Sequence, residues 1–134
     1  MPSLLDTNVI TQLLKRTQAV VDRYRNALGR GETIHLSAVV YYEVKRGLLH
    51  LGASNQLRQL DEDFKNVLRW VPVSDATWDR AAHLWADCRR QGRPHDDDGD
   101  LLIAAQAQAL GAVVVTRNTR DFIDLQVPVE NWEA

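Results

Sequence analysis

The chain has 134 residues, 45% hydrophobic and 25% charged, with a formal net charge of −2. That is the composition of one soluble globular domain, and the charge excludes the broad basic footprint of a constitutive nucleic-acid binder. No stretch approaches the roughly 18 apolar residues of a membrane span, the N-terminus "MPSLLDTNVI" has no basic-then-apolar leader pattern, and the lone Cys88 rules out an internal disulfide or a thiolate zinc cluster; a cytoplasmic setting is the default.

In chain order, "SLL" (3–5) is a short apolar run ending at Asp6-Thr7-Asn8, after which Val9, Ile10, Leu13 and Leu14 recur at helical spacing. A second helix is predicted over 18–29, closed by Gly29 and Gly31, and "TIHLS" (33–37) reads as a strand. Ser37 suits the N-cap of a helix running to Leu51 and stopped by Gly52. A polar amphipathic helix follows at 53–68, then a strand "RWVPV" (69–73). The helix at 75–91 places Trp78, Ala81, Ala82 and Trp85 on one face. Another helix spans 98–110 and ends at Gly111; "AVVVT" (112–116) is continuously apolar, as a strand buried on both faces would be. A helical turn at 119–124 and a strand "VPV" (127–129) complete an α/β sandwich with a mostly parallel sheet, expected to be a single domain over 1–134.

In such sheets ligands gather at the carboxyl ends of the strands. Asp6 follows the first strand there, Glu43 lies in the second turn of the helix after the strand 33–37, Asp100 heads the apolar helix "LLIAAQAQALG", and Asn118 and Asp121 follow the strand 112–116. Asp6 or Thr7 also suits a plain N-cap. Asp96, Asp97 and Asp98 read as a solvated loop favoured by the helix dipole behind them.

Asp100 is harder to explain structurally, because Ala104, Ala107 and Gly111 on its side bring the helix close to the sheet. A carboxylate held away from water needs a partner, and Asp6 and Glu43 can only add repulsion. A divalent cation resolves the conflict. Oxygen ligands select Mg²⁺ or Mn²⁺, while His35, His50, His83 and His95 lack the spacing of a zinc site and read as surface or structural residues. Such an ion points to phosphodiester hydrolysis, with Glu43 as general base or orienting a hydroxide held by the cation.

Four blocks, "LLDTNVI" (4–10), "SAVVYYEVKRGL" (37–48), "DLLIAA" (100–105) and "VVTRNTRDF" (114–122), together resemble the PIN-domain ribonucleases, in particular the VapC-type toxins of toxin–antitoxin pairs. The resemblance spans nearly the whole chain in the expected order. It implies a parallel five-stranded sheet flanked by helices and a site made of Asp6, Glu43, Asp100 and Asn118, with Asp121 supplementing it and Thr7 and Thr116 lining it. It implies an Mg²⁺- or Mn²⁺-dependent endoribonuclease acting on structured RNA, often a tRNA loop, and a homodimer inhibited by a small VapB-like antitoxin. The acidic run before Asp100 is denser than the family pattern.

RNA would need cations, for which Lys45, Arg46, Arg89, Arg90, Arg93, Arg117 and Arg120 are candidates; Trp70, Trp78, Trp85 and Trp132 read as core or dimer contacts. A haloacid-dehalogenase-type phosphatase would require Asp at position 8, where Asn8 stands, and a receiver domain would require Lys where Arg117 follows the strand. The remaining rival is a catalytically silent PIN-like protein that keeps RNA or antitoxin binding.

Overall fold

The computed structural model describes residues 1–134. Its strands are β1 (Ser3–Leu5), β2 (Ile34–Ser37), β3 (Arg69–Val71), β4 (Val113–Val115) and β5 (Val129–Glu130), in one sheet of order β3-β2-β1-β4-β5. All four pairings are parallel, with Ser3 in register with both Ile34 and Val113. The chain builds outward from β1 in one direction through β2 and β3, then returns to its other side through β4. The switch between β1 and β4 is the place where a doubly wound sheet leaves a crevice.

The helices are α1 (Thr7–Leu14), α2 (Gln18–Gly29), α3 (Ala38–Leu51), α4 (Ser54–Gln59), α5 (Asp75–Arg90) and α6 (Asp98–Leu110). The predicted helix 53–68 is shorter and composite: α4 passes into a π-helical segment, Leu60–Lys65, whose looser turn buries Leu60 and Phe64. The predicted strands 69–73 and 127–129 pair only at Arg69–Val71 and Val129–Glu130, where the flanking prolines withhold amide donors from the ladder. A 3₁₀ turn, Thr119–Leu125, packs Phe122 and Leu125 into the core.

Two local features hold the site-bearing helices. Ser37 caps α3, accepting the Val39 amide at 3.0 Å, and donates to Gln106 Oε1 of α6 at 2.5 Å. Gln106 is 1% exposed, and its Nε2 donates to the Pro72 carbonyl at 3.1 Å. A polar side chain so deep is tolerated because every group on it is paired, and the pairing ties α6 to β2 and the end of β3. Ala104 and Ala107 are fully buried, so α6 approaches the sheet closely, as its small residues predict.

Candidate active site

Asp6 leaves the end of β1, its amide donating to the Val115 carbonyl at 2.9 Å. Its side chain is the N-cap of α1 and more than a cap. Oδ1 accepts the Thr7 amide at 2.8 Å, while Oδ2 accepts the Thr116 hydroxyl at 2.8 Å and the Asn8 side-chain amide at 3.3 Å. Thr116 Oγ1 also accepts the Asn118 amide at 3.0 Å, and Asn8 Oδ1 accepts the Arg117 amide at 3.0 Å. The loop after β4 is thereby fastened onto the loop after β1.

Glu43 reaches the same place from α3. The Thr7 hydroxyl donates to its Oε1 at 2.8 Å, and Oε2 lies 4.0 Å from Arg46. Asp100 enters from the first turn of α6, its side chain 15% exposed and its Oδ2 3.5 Å from His95 Nε2. A cleft of about 370 Å³ is lined by Asp6, Glu43, Asp97, Asp100, Asn118 and Asp121, together with Thr7, Asn8, Thr11, Gln12, Lys15 and Arg117. The three predicted acids from three separate elements converge there, as do Asn118, Asp121 and Thr7; Thr116 sits fully buried beneath them.

The electrostatic cost of that convergence is visible. Burial, followed by the charges of Asp97, Asp6, Asp121 and Glu43, pushes the Asp100 carboxyl from an ordinary 3.8 up to about 8. Burial also raises Asp6 against the opposing hydrogen bonds from Thr116 and Thr7, and it raises Glu43 against the hydrogen bond from Thr7. A hard dication would relieve all three at once. No three histidine, cysteine or acidic side chains are disposed as a ready-made cage. An ion that keeps most of its waters and takes one or two carboxylates fits this donor set better than one demanding several protein ligands.

Several expectations are redistributed. Lys45 turns away from the cleft, its Nζ 5.4 Å over the Tyr41 ring, while Arg46 stacks on Tyr42 at 5.1 Å. Arg89 and Arg93 are engaged by Asp96 and Asp124 at 2.7 and 2.9 Å. Arg120 is exposed but does not line the cleft, whereas Arg117 does. Trp132 is in the core, but Trp70, on the edge strand β3, is 40% exposed, and Trp78 and Trp85 are 56% and 39% exposed on a face of α5 that is only partly covered.

Five cleft residues escape the sequence reading as site residues: Asn8, Thr11, Gln12, Lys15 and Asp97. Lys15 had a signal, since Thr7, Thr11 and Lys15 recur every four residues along one face of α1. His95 Nδ1 accepts the Asp97 amide at 3.3 Å, which leaves Nε2 to donate to the Asp121 carbonyl at 2.8 Å. This pins the loop before α6 onto the 3₁₀ turn.

Carboxylates gathered at the switch point of a parallel sheet define an α/β domain with an acidic cleft. Residues 3–127 match the PIN domain family, and the chain belongs to it. It is 28% identical over 122 residues to "Ribonuclease VapC1" of Haemophilus influenzae (strain R2866), a match covering 89% of this chain and 88% of that protein. To "tRNA(fMet)-specific endonuclease VapC" of Shigella flexneri it is 29% identical over 119 residues, with the same coverage. Among solved structures, FitAcB from Neisseria gonorrhoeae aligns with a TM-score of 0.84 at 26% identity over 98% of each chain. VapBC2 from Rickettsia felis, bound to a DNA fragment from its promoter, shares the fold with a TM-score of 0.85 at 23% identity, covering 98% of this chain and 99% of that one.

Proposed function

We propose that this chain is the toxin of a VapBC-type toxin–antitoxin pair, a divalent-cation-dependent endoribonuclease that hydrolyses phosphodiester bonds in a structured RNA such as a tRNA. The observation that carries the reading is the meeting of Asp6, Glu43 and Asp100, far apart in sequence, in one cleft. The resemblance to ribonucleases named VapC over most of the chain supports the same reaction class.

In this reading Asp6 and Asp100 hold Mg²⁺ or Mn²⁺, with Asn118 and Asp121 at the rim where they can accept from its waters. The bound cation supplies charge neutralisation at the scissile phosphate and acidifies water. Glu43 takes the proton of the attacking water. Its carboxyl is held above the usual range by burial, and Thr7 fixes Oε1, so Oε2, which accepts no hydrogen bond and has Arg46 at 4.0 Å, is the basic atom. A base whose pKa is lifted toward neutrality is better matched to that task. Lys15 and Arg117, both lining the cleft, contact the RNA backbone, with Arg46 beside Glu43 as a third cation. The chain acts in the cytoplasm as a homodimer restrained by a VapB-like antitoxin, and exposed Tyr42, Trp78 and Trp85 provide apolar surface for such contacts. The catalytically silent rival has less support, since none of the expected acids is replaced.

The test is incubation of the purified protein with total RNA in Mn²⁺, in Mg²⁺ and in chelator, with Asp6→Asn as the control. Cation-dependent cuts at discrete sites, absent with Asp6→Asn, are expected. Equal cleavage by the variant or in chelator would refute the reading.

A further inference from the structure

The run Asp96-Asp97-Asp98 divides into three environments. Asp96 is spent on Arg89 outside the cleft. Asp98 opens α6 and borders an apolar groove with Trp78, Trp85 and Leu102. Asp97 alone of the three faces the acids. Its Oδ1 accepts the amide of Asp100 at 3.2 Å, so it holds the backbone from which that side chain projects. It also meets Glu43 across Gly99: a Cβ added there would lie 3.1 Å from Asp97 Oδ1 and 3.3 Å from Glu43 Oε2. The missing side chain at position 99 is what lets the two carboxylates face each other over the first turn of α6.

Serine, threonine or asparagine would cap α6 as well as aspartate does. Only aspartate adds a charge that repels Glu43, Asp6 and Asp100, and such a charge is offset when a cation shares the cleft. We propose that Asp97 is a positioning residue of the cation site, fixing the Asp100 main chain and adding a non-ligating negative charge that raises affinity for the divalent ion. This rests on the reading of the cleft as a divalent-cation site. Groups that orient ligands without touching the ion commonly change its affinity by 10-fold or more when removed.

The experiment is a calorimetric Mn²⁺ titration of the wild type, Asp97→Asn, Asp96→Asn and Asp6→Asn, with thermal melts in chelator and kcat measured against Mn²⁺ concentration. Asp97→Asn keeps a capping oxygen. It should weaken Mn²⁺ binding roughly 10-fold and shift half-activation to match. Its kcat at saturating Mn²⁺ should stay near that of the wild type, and its melt in chelator should be unchanged or higher. Asp96→Asn should match the wild type throughout. If Asp97→Asn does not fold, Asp97→Ser, a cap without charge, makes the same comparison. Wild-type Mn²⁺ affinity in Asp97→Asn alongside lost affinity in Asp6→Asn would overturn the role of Asp97 alone. Unchanged affinity in both would overturn the cation site itself.

Discussion

Replacing Asp100 with asparagine should make the cation-free protein more stable, and increasingly so as pH rises. In the folded chain this carboxyl titrates near 8 instead of 3.8. Between those values the folded state holds a proton that the unfolded state has released. The stability tied to Asp100 is therefore fully present below pH 3.8 and is lost as pH rises through 8. The gap is about 4 pH units at roughly 1.4 kcal/mol each, a ceiling on the order of 5 kcal/mol once the folded-state anion forms near pH 9. Relaxation of the cleft and water entry reduce it, so a gain of about 3 kcal/mol is expected there, against less than ~2 kcal/mol at pH 5. For a chain of this size each kcal/mol is worth roughly 3–5 °C in Tm, so the variant should melt about 10 °C higher at pH 9. Urea denaturation in chelator at pH 5, 7 and 9 measures the difference curve. Adding Mn²⁺ should raise the wild-type midpoint and leave that of Asp100→Asn unmoved. A variant less stable than the wild type at pH 9, or a difference that does not change with pH, would refute the argument from crowded carboxylates.

Glu43→Gln should lower kcat by about 100-fold or more, the scale of a lost general base, while changing the calorimetric Mn²⁺ affinity less; the reverse order would remove it from the role of base. Lys15→Ala and Arg117→Ala should each weaken binding of catalytically silent protein to RNA and reduce the slope of log affinity against log salt by about 0.7 to 1; an unchanged slope would take that residue off the RNA path. Gln106→Ala should cost about 2–4 kcal/mol in denaturant titrations, since it opens a cavity and leaves the Ser37 hydroxyl and the Pro72 carbonyl without their partner; a loss below ~1 kcal/mol would mean water replaces the amide.

What could be read in advance follows from what each residue depends on. The β-α alternation is local: apolar runs, Ser37 as a cap and the left-handed glycines Gly52 and Gly111 at the ends of α3 and α6 all do in the structure what their chemistry predicts. Asp6 and Asp100 were legible because each puts a charge where an apolar element begins. Asp97 was not, because nothing in a run of three aspartates says which one faces inward. That depends on the path of 91–97, set by Arg89 pulling on Asp96 and His95 bridging to the Asp121 carbonyl. Asn8 was legible only as the absence of an aspartate, since its bonds to Thr116 and to the Arg117 amide join positions over 100 residues apart. Where each cation points was hidden for a similar reason. Lys45 and Arg46 are adjacent in sequence but diverge on a helix, one toward Tyr41 and the other toward Tyr42.

Proton release on Mn²⁺ binding tests the crowding of the acids most directly. With Asp100 titrating near 8, the site at pH 7 carries close to one excess proton that a cation must expel. Calorimetry in buffers of differing ionisation enthalpy should therefore show nearly one proton released per Mn²⁺ at pH 7, falling toward none at pH 9. Mn²⁺ binding in this cleft with no proton released at pH 7, or no binding at all, would contradict it.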